Sequence, residues 1–426
     1  MAPAPAAVSA LDAFDEPLPA AGCPPSAVID QLDAIGSPAT VASAGPRYFG
    51  FVTGGTFPVS IASNWLATAW DQNAGLVAMS PIAAKLEAVA ARWLVQLLKL
   101  SEETAVGFVT GSTTAHMTAL LAARHAILAK RGWDVEKKGL SGAPSIRVVA
   151  TADLHSSVLK ALGMIGLGRE TVVPIPVDEQ GKIVVSRIPA VDSSTILIAQ
   201  AANVNSGSFD DIAALAAIAA RNDAWLHVDA AFGAWARTSP TLARHVDGLE
   251  RAHSMAISAH KMLNVPYDSA IVTCRDPGSM TSAMGMTTSY SVLSGGREPN
   301  HFTPEGSRRA RGIDIWAVLK SLGSEGVRGL VESCCANATT FADTLRKGGV
   351  RVLTDVAYNQ VLFDLGATES RDRRLAAIQR DGTCWVGPAV WQGSAACRAS
   401  FVGWSTTLED ARLSAEAILR AIRETN

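Results

Sequence analysis

Gly111-Ser112-Thr113-Thr114 follows an apolar run, Ala105 to Val109, and opens a helical stretch. At the carboxyl end of a strand such a turn gathers backbone N–H groups and hydroxyls, which either cap the helix or cradle a phosphate. His155 stands in the same kind of place after the run Ile146 to Thr151, where a histidine either packs structurally or meets a ligand. Period 2 along the run from Trp225 puts His227 and Asp229 on one face, a possible metal pair for which no third ligand of suitable spacing is apparent. A carboxylate at the end of a buried strand is costly unless paired, so Asp229 needs a cation or a strong donor. Lys261 follows Ser258-Ala259-His260 among the apolar Met262, Leu263 and Val265, and it either snorkels or is placed to lose its proton. Each feature alone has a plain structural reading. Together, a phosphate cup, a ring-stacking histidine, a carboxylate for a cationic nitrogen and a partly buried lysine form one object, the binding set for pyridoxal 5′-phosphate.

Other chemistries find no motif. There is no G-x-x-x-x-G-K-[ST] and no G-x-S-x-G, and Gly163, Gly166 and Gly168 are in the wrong order for a dinucleotide fingerprint. His116 and His125 are nine apart on one helical stretch, hence on opposite faces, and cannot chelate together; no metal is expected. Lys plus Arg is 37 against 39 Asp plus Glu, scattered along the chain, which removes the electrostatic footprint of a nucleic-acid binder. The six cysteines show no C-x-x-C spacing, so neither a disulfide nor a thiolate zinc site is expected. Every window long enough for a bilayer is interrupted by charge, and Met1 to Ala10 lacks the parts of a secretory signal. A cytoplasmic protein with no membrane partner is the expectation.

The elements that must position these residues alternate. After a Pro- and Gly-punctuated arm with a short helical possibility near Ser26 to Ile35, helices are predicted over Val59 to Asp71 and from Ser80-Pro81 through Leu100, the latter with Glu87, Arg92 and Lys99 on its wet side. Strands at Ala105 to Val109, Ile146 to Thr151, Thr171 to Ile175, Thr195 to Gln200, Trp225 to Asp229, Met255 to Ser258 and Ser269 to Thr273 interleave with helices at Thr113 to Lys130, His155 to Ile165 and Asp211 to Arg221. Continuous apolar strands between helices imply a mainly parallel sheet covered on both faces, with ligands at the carboxyl ends. Periodicity stops between Arg275 and Gly312, a length of loop that is usually functional or disordered. Beyond it, helices at Ile313 to Leu322, Glu325 to Arg346 and Leu408 to Arg423 and short strands at Val350 to Leu353, Gln360 to Asp364 and Cys397 to Val402 read as an α+β unit. The expected division is an N-terminal arm over 1–57, a large domain over 58–312 and a small C-terminal domain over 313–426.

Pro46-Arg47-Tyr48-Phe49-Gly50-Phe51, Ser80-Pro81, Gly111-Ser112-Thr113-Thr114, Asp153-Leu154-His155-Ser156-Ser157, His227-Val228-Asp229-Ala230-Ala231, Ser258-Ala259-His260-Lys261 and Ser307-Arg308-Arg309-Ala310-Arg311 resemble, in order, the group II pyridoxal-phosphate-dependent amino acid decarboxylases. The resemblance implies the aspartate aminotransferase-like α/β fold (fold type I) and loss of CO2 from an L-amino acid, leaving the amine. It implies a homodimer with active sites at the subunit interface. Lys261 would be the Schiff-base lysine, Asp229 the partner of the pyridine nitrogen and His155 the ring-stacking residue. Ser112, Thr113 and Ser258 would hold the phosphate, with Ala231 and His260 also at the cofactor and Ser307 reaching it from the other subunit. Arg398 and Phe51 would face the substrate. Tyr290, in the long aperiodic stretch, would return a proton to Cα, with His155 the other candidate for that step. The chain departs from the aromatic amino acid decarboxylases at Asn203-Val204-Asn205, where they carry Gly-Thr-Thr, so the substrate is not carried over. Tyr48, Phe49, Phe51 and Phe57 suit an apolar side chain or serve plain packing, while Arg47 suits an acidic one. A carbon–carbon lyase, an oxidative decarboxylase making an aldehyde, and a non-catalytic cofactor binder are the alternatives.

Overall fold

The structure, a computed structural model, describes residues 2–285 and 296–425. Ten strands form two sheets among these residues. The larger holds β1 (Ala105–Val109), β2 (Arg147–Thr151), β3 (Val172–Ile175), β4 (Thr195–Gln200), β5 (Trp225–Asp229), β6 (Ser254–Ser258) and β7 (Ala270–Cys274) in the order β1-β7-β6-β5-β4-β2-β3. Strands β2 to β6 pair in parallel, whereas β7 runs antiparallel to both β6 and β1. The carboxyl ends of β1, β2, β5 and β6 therefore lie along one edge of the sheet, and the residues that follow them share that edge.

The continuous apolar strands are explained by burial on both faces. Val106 and Phe108 enter one core while Ala105 and Val109, one residue out of phase, enter another. The second core is covered by the helices Ser112–Ala129 (α3), Ser156–Met164 (α4) and Pro277–Met284 (α6). Against the first pack Pro81–Leu97 (α2), Ile212–Arg221 (α5) and Gly312–Lys347 (α7), the last also touching Pro58–Trp70 (α1). Helix α7 breaks once, at Gly323 (φ 61°, ψ −177°), between the two helices expected there. Its later turns supply Phe341 and Leu345 to a third core, where Thr368–Asp381 (α8) and Leu408–Glu424 (α9) cover the antiparallel sheet β8 (Gln360–Phe363), β10 (Ser394–Ser400) and β9 (Gly387–Trp391).

Four expectations need correction. Glu87 is not on the wet side of α2: it is 1% exposed and paired with Arg308 and Arg297. Arg92 and Lys99 are exposed as expected. Val350 to Leu353 forms no strand, only a bridge between Val352 and Phe363. The aperiodic stretch contains α6, started by Asp276, whose carboxylate accepts the Gly278 N–H. Helix α8 and strand β9 lack a matching expectation because half of the residues of α8 are charged and β9 carries Pro388 on a half-exposed edge.

Candidate active site

The turn after β1 ends in Gly111, whose extended backbone starts α3 without a side-chain cap. The first N–H groups of α3 thus remain donors for an anion. Ser112, at the first turn, hydrogen-bonds through its hydroxyl to the Ser258 hydroxyl at the end of β6, and Thr113 stands beside it, half-buried. Residues far apart in the chain so make one cup of hydroxyls over a helix N-terminus, which suits a phosphate.

Asp229, the last residue of β5, is 8% exposed. One carboxylate oxygen accepts the Ala231 N–H at 3.2 Å, and the other lies 3.6 Å from His116 Nε2. Burial alone would raise its pKa, but His116, Lys261 and His155 outweigh it and hold the carboxyl below its ordinary value. Lys261, in the loop joining β6 to β7, sits with Nζ 5.4 Å from the centre of the Phe232 ring. Burial, helped by Arg398 and opposed by Asp229, lowers its pKa to about 8. Gly54 explains how a second segment comes so close: a Cβ there would meet the Lys261 carbonyl oxygen at 2.2 Å.

His155 is the N-cap of α4 and accepts the Ser157 N–H at 3.2 Å on Nδ1. That contact fixes the ring at the end of β2, and burial, against the pull of Asp229, lowers its pKa. Arg398 on β10 donates to the Val204 carbonyl at 2.9 Å, and its charge disfavours protonation of both Lys261 and His155. Beside His155 opens a cleft of about 380 Å³ bordered by Asn205, Trp391 and Gln392.

Other candidates are placed differently. His260 donates from Nδ1 to the Ser269 carbonyl at 2.7 Å and stacks on Tyr267, so its described contacts close the β6–β7 loop. Ser307 is exposed, its hydroxyl accepting from Asn73 at 3.3 Å, and within one chain it does not join the cup. Phe51 is 70% exposed and stacks on Trp385. Tyr290 lies outside the described residues. Among the described residues no group of three or more His, Cys, Asp or Glu could hold a metal ion. His116, which the sequence offered only as a partner for His125, stands one helical turn beyond Ser112 on the same face of α3; that i, i+4 relation was the available signal for its place here.

The family model "Pyridoxal-dependent decarboxylase conserved domain" matches residues 11–366. The chain belongs to this family. Tryptophan decarboxylase 1 of Oryza sativa subsp. japonica is 27% identical over 336 residues, which cover 71% of this chain and 63% of that protein. L-2,4-diaminobutyrate decarboxylase of Rhizobium meliloti (strain 1021) is 26% identical over 300 residues, 67% of this chain and 56% of that protein. The chain spans less than two thirds of the length of these relatives. Its fold is that of a solved Oryza sativa TDC with PLP and tryptamine, with TM-score 0.89, 23% identity and coverage of 99% and 93%. It is likewise that of Rhodiola rosea 4-hydroxyphenylacetaldehyde synthase, with TM-score 0.82, 17% identity and coverage of 100% and 92%. This is the fold type I architecture: a large, mostly parallel sheet between helices, with a small antiparallel sheet beside it.

The family's cofactor is pyridoxal 5′-phosphate, and the donor set fits it. The α3 terminus and the Ser112–Ser258 pair suit its phosphate, Asp229 its ring nitrogen, and Lys261, with its lowered pKa, its aldehyde.

Proposed function

We propose that this chain decarboxylates an L-amino acid to the amine and CO2 with pyridoxal phosphate. The observation that carries the reading is the convergence of a buried carboxylate, Asp229, and a lysine of lowered pKa, Lys261, beside the Ser112–Ser258 cup. The bound cofactor supplies an electron sink for the pair left at Cα when CO2 departs.

The chain's own residues do the rest. Lys261 would hold the cofactor through its amine, whose lowered pKa leaves a neutral nucleophile available near pH 8. The Asp229 carboxylate keeps a proton on the ring nitrogen. His155 would stack on the ring, with Ala231 and His260 also at the cofactor. Ser112, Thr113 and Ser258 hold the phosphate, Arg398 and Phe51 meet the substrate, and Tyr290 protonates Cα. Ser307 acts from the partner in a homodimer, a reading supported by its exposure and by the apolar surface of α1, where Trp65 is 71% and Leu66 54% exposed. The division into an arm (1–57), a large domain (58–312) and a small domain (313–426) belongs to this reading, supported by the separate third core. So does a cytoplasmic location; among the described residues no helix is long and apolar enough to cross a membrane.

A second reading, oxidative decarboxylation to an aldehyde, is favoured by the shared fold of the Rhodiola rosea synthase. Incubating the purified protein and cofactor with each common amino acid and diaminobutyrate in air, and quantifying CO2, amine, aldehyde and peroxide, separates the two. Amine with CO2 is expected. Aldehyde with peroxide supports the second reading, and no CO2 from any amino acid sinks both. Borohydride treatment should fix the cofactor to the Lys261 peptide.

A further inference from the structure

Behind Asp229 lies a file of buried polar groups that the reading above leaves unused. His116 is 0% exposed, as is His227. His116 Nδ1 lies 2.9 Å from His227 Nε2, and the two rings meet edge to face. His227 Nδ1 lies 2.9 Å from the Ser254 hydroxyl, which also accepts the Trp225 indole N–H at 2.9 Å. At the other end His116 Nε2 has no hydrogen-bond partner and points at Asp229, 3.6 Å from Oδ2. A buried ring nitrogen without a partner is costly, so this file is built for a contact that a small turn of the carboxylate completes.

The direction of every hydrogen follows from the Asp229 end. A carboxylate only accepts, so His116 must carry its hydrogen on Nε2 and accept on Nδ1. His227 must then donate from Nε2 and accept on Nδ1, where the Ser254 hydroxyl can donate. We propose that His116 and His227 are positioning residues, a one-way hydrogen-bond chain running from Ser254 to Asp229 Oδ2 that fixes the carboxylate which meets the cofactor's ring nitrogen. Burial lowers the pKa of both imidazoles, that of His227 to about 3. The other charged or titratable groups acting on His116 are Asp229, His155 and Lys261. An uncharged donor orients Asp229 without cancelling its charge, which an imidazolium there would do. Oδ1 already accepts the Ala231 N–H, so closing Oδ2 onto His116 leaves the carboxylate one orientation.

This inference rests on the proposed use of pyridoxal phosphate, and its test separates the two. Cofactor affinity is measured by titrating the apoprotein of the parent, His116→Leu, His116→Gln, Asp229→Asn and the Leu/Asn double variant. Gln places an amide donor near the position of Nε2. His116→Leu is expected to bind at least about tenfold more weakly, the loss of a hydrogen bond to a charged group, with His116→Gln recovering most of it. Adding His116→Leu to Asp229→Asn should cost little more, since His116 acts through Asp229. Nitrogen-15 NMR of the histidines in the apoprotein should find His116 and His227 both hydrogenated on Nε2 alone near neutral pH, a result independent of the cofactor and of whether the Leu variant folds. Parent affinity in His116→Leu, full additivity in the double variant, or a charged or Nδ1–H His116 overturns the proposal. A parent that takes up no cofactor overturns the reading beneath it.

Discussion

Lys261 and Asp229 do their proposed work through charge states that the surrounding residues set. With the lysine pKa near 8, the neutral, nucleophilic fraction grows as pH rises to that value and then saturates. The rate at which apoprotein captures pyridoxal phosphate, followed by absorbance on mixing, should therefore rise about tenfold per pH unit below 8 and level off above it. A rate flat from pH 6 to 9 would mean that the amine is already neutral. Asp229→Asn should keep the apoprotein's melting temperature close to the parent's and lower turnover by about 100-fold or more, because the amide cannot hold the ring proton; CO2 release at saturating cofactor measures it. Residues of this kind were legible in the sequence because each follows an apolar run at a strand end, and sheet geometry brings those ends together. His116 was not, since its partner His227 is 111 residues away and no local pattern records that contact. His260 stands in a cofactor-like motif, and its described contacts, with Ser269 and Tyr267, close the β6–β7 loop.

Strands β1 to β7 and the long helices were legible because their apolar runs are buried on both faces or carry helical periodicity, and caps such as Ser80 and Asp211 mark the helix starts. What the pattern misjudged was Glu87. A charged residue on an amphipathic helix ordinarily marks solvent, but here two arginines from the segment after residue 295 come down on it. Arg308 also donates to the Phe108 carbonyl and Arg297 to the Val106 carbonyl, which ties that segment to β1. Glu87→Gln removes the countercharge of a fully buried guanidinium, and the expected loss is about 3–5 kcal/mol of stability, read by chemical denaturation. Because Ser307 precedes Arg308, the same variant should weaken cofactor binding beyond what Arg92→Gln, an exposed change on the same helix, produces. Equal behaviour of the two variants would show that the ion pair carries neither stability nor position.

Many of the large exposed apolar side chains belong to the arm, Val28, Ile29 and Leu32 among them, and to α1, with Ile61, Trp65, Leu66 and Trp70. Exposed tryptophans and leucines on one helix are the kind of surface that a partner covers. Trp65→Asp is expected to convert a two-chain mass to a single-chain mass in light scattering, with cofactor-dependent turnover lost alongside; a parent already at single-chain mass would refute the homodimer. Where the arm lies could not be read from its composition, because Pro- and Ala-rich segments have no periodicity to register against a neighbour. The order β1-β7-β6 bears on how the protein comes to be made. The β6–β7 hairpin closes locally, so the loop bearing Lys261 can form early in folding. Strand β1 must instead find β7 from far up the chain, and only then does Ser112 reach Ser258, 146 residues away. During refolding the phosphate site should be the late arrival. Cofactor added to a refolding chain would then be captured in a slow phase, after most of the circular dichroism signal has returned, and its absorbance would time the closing of the sheet.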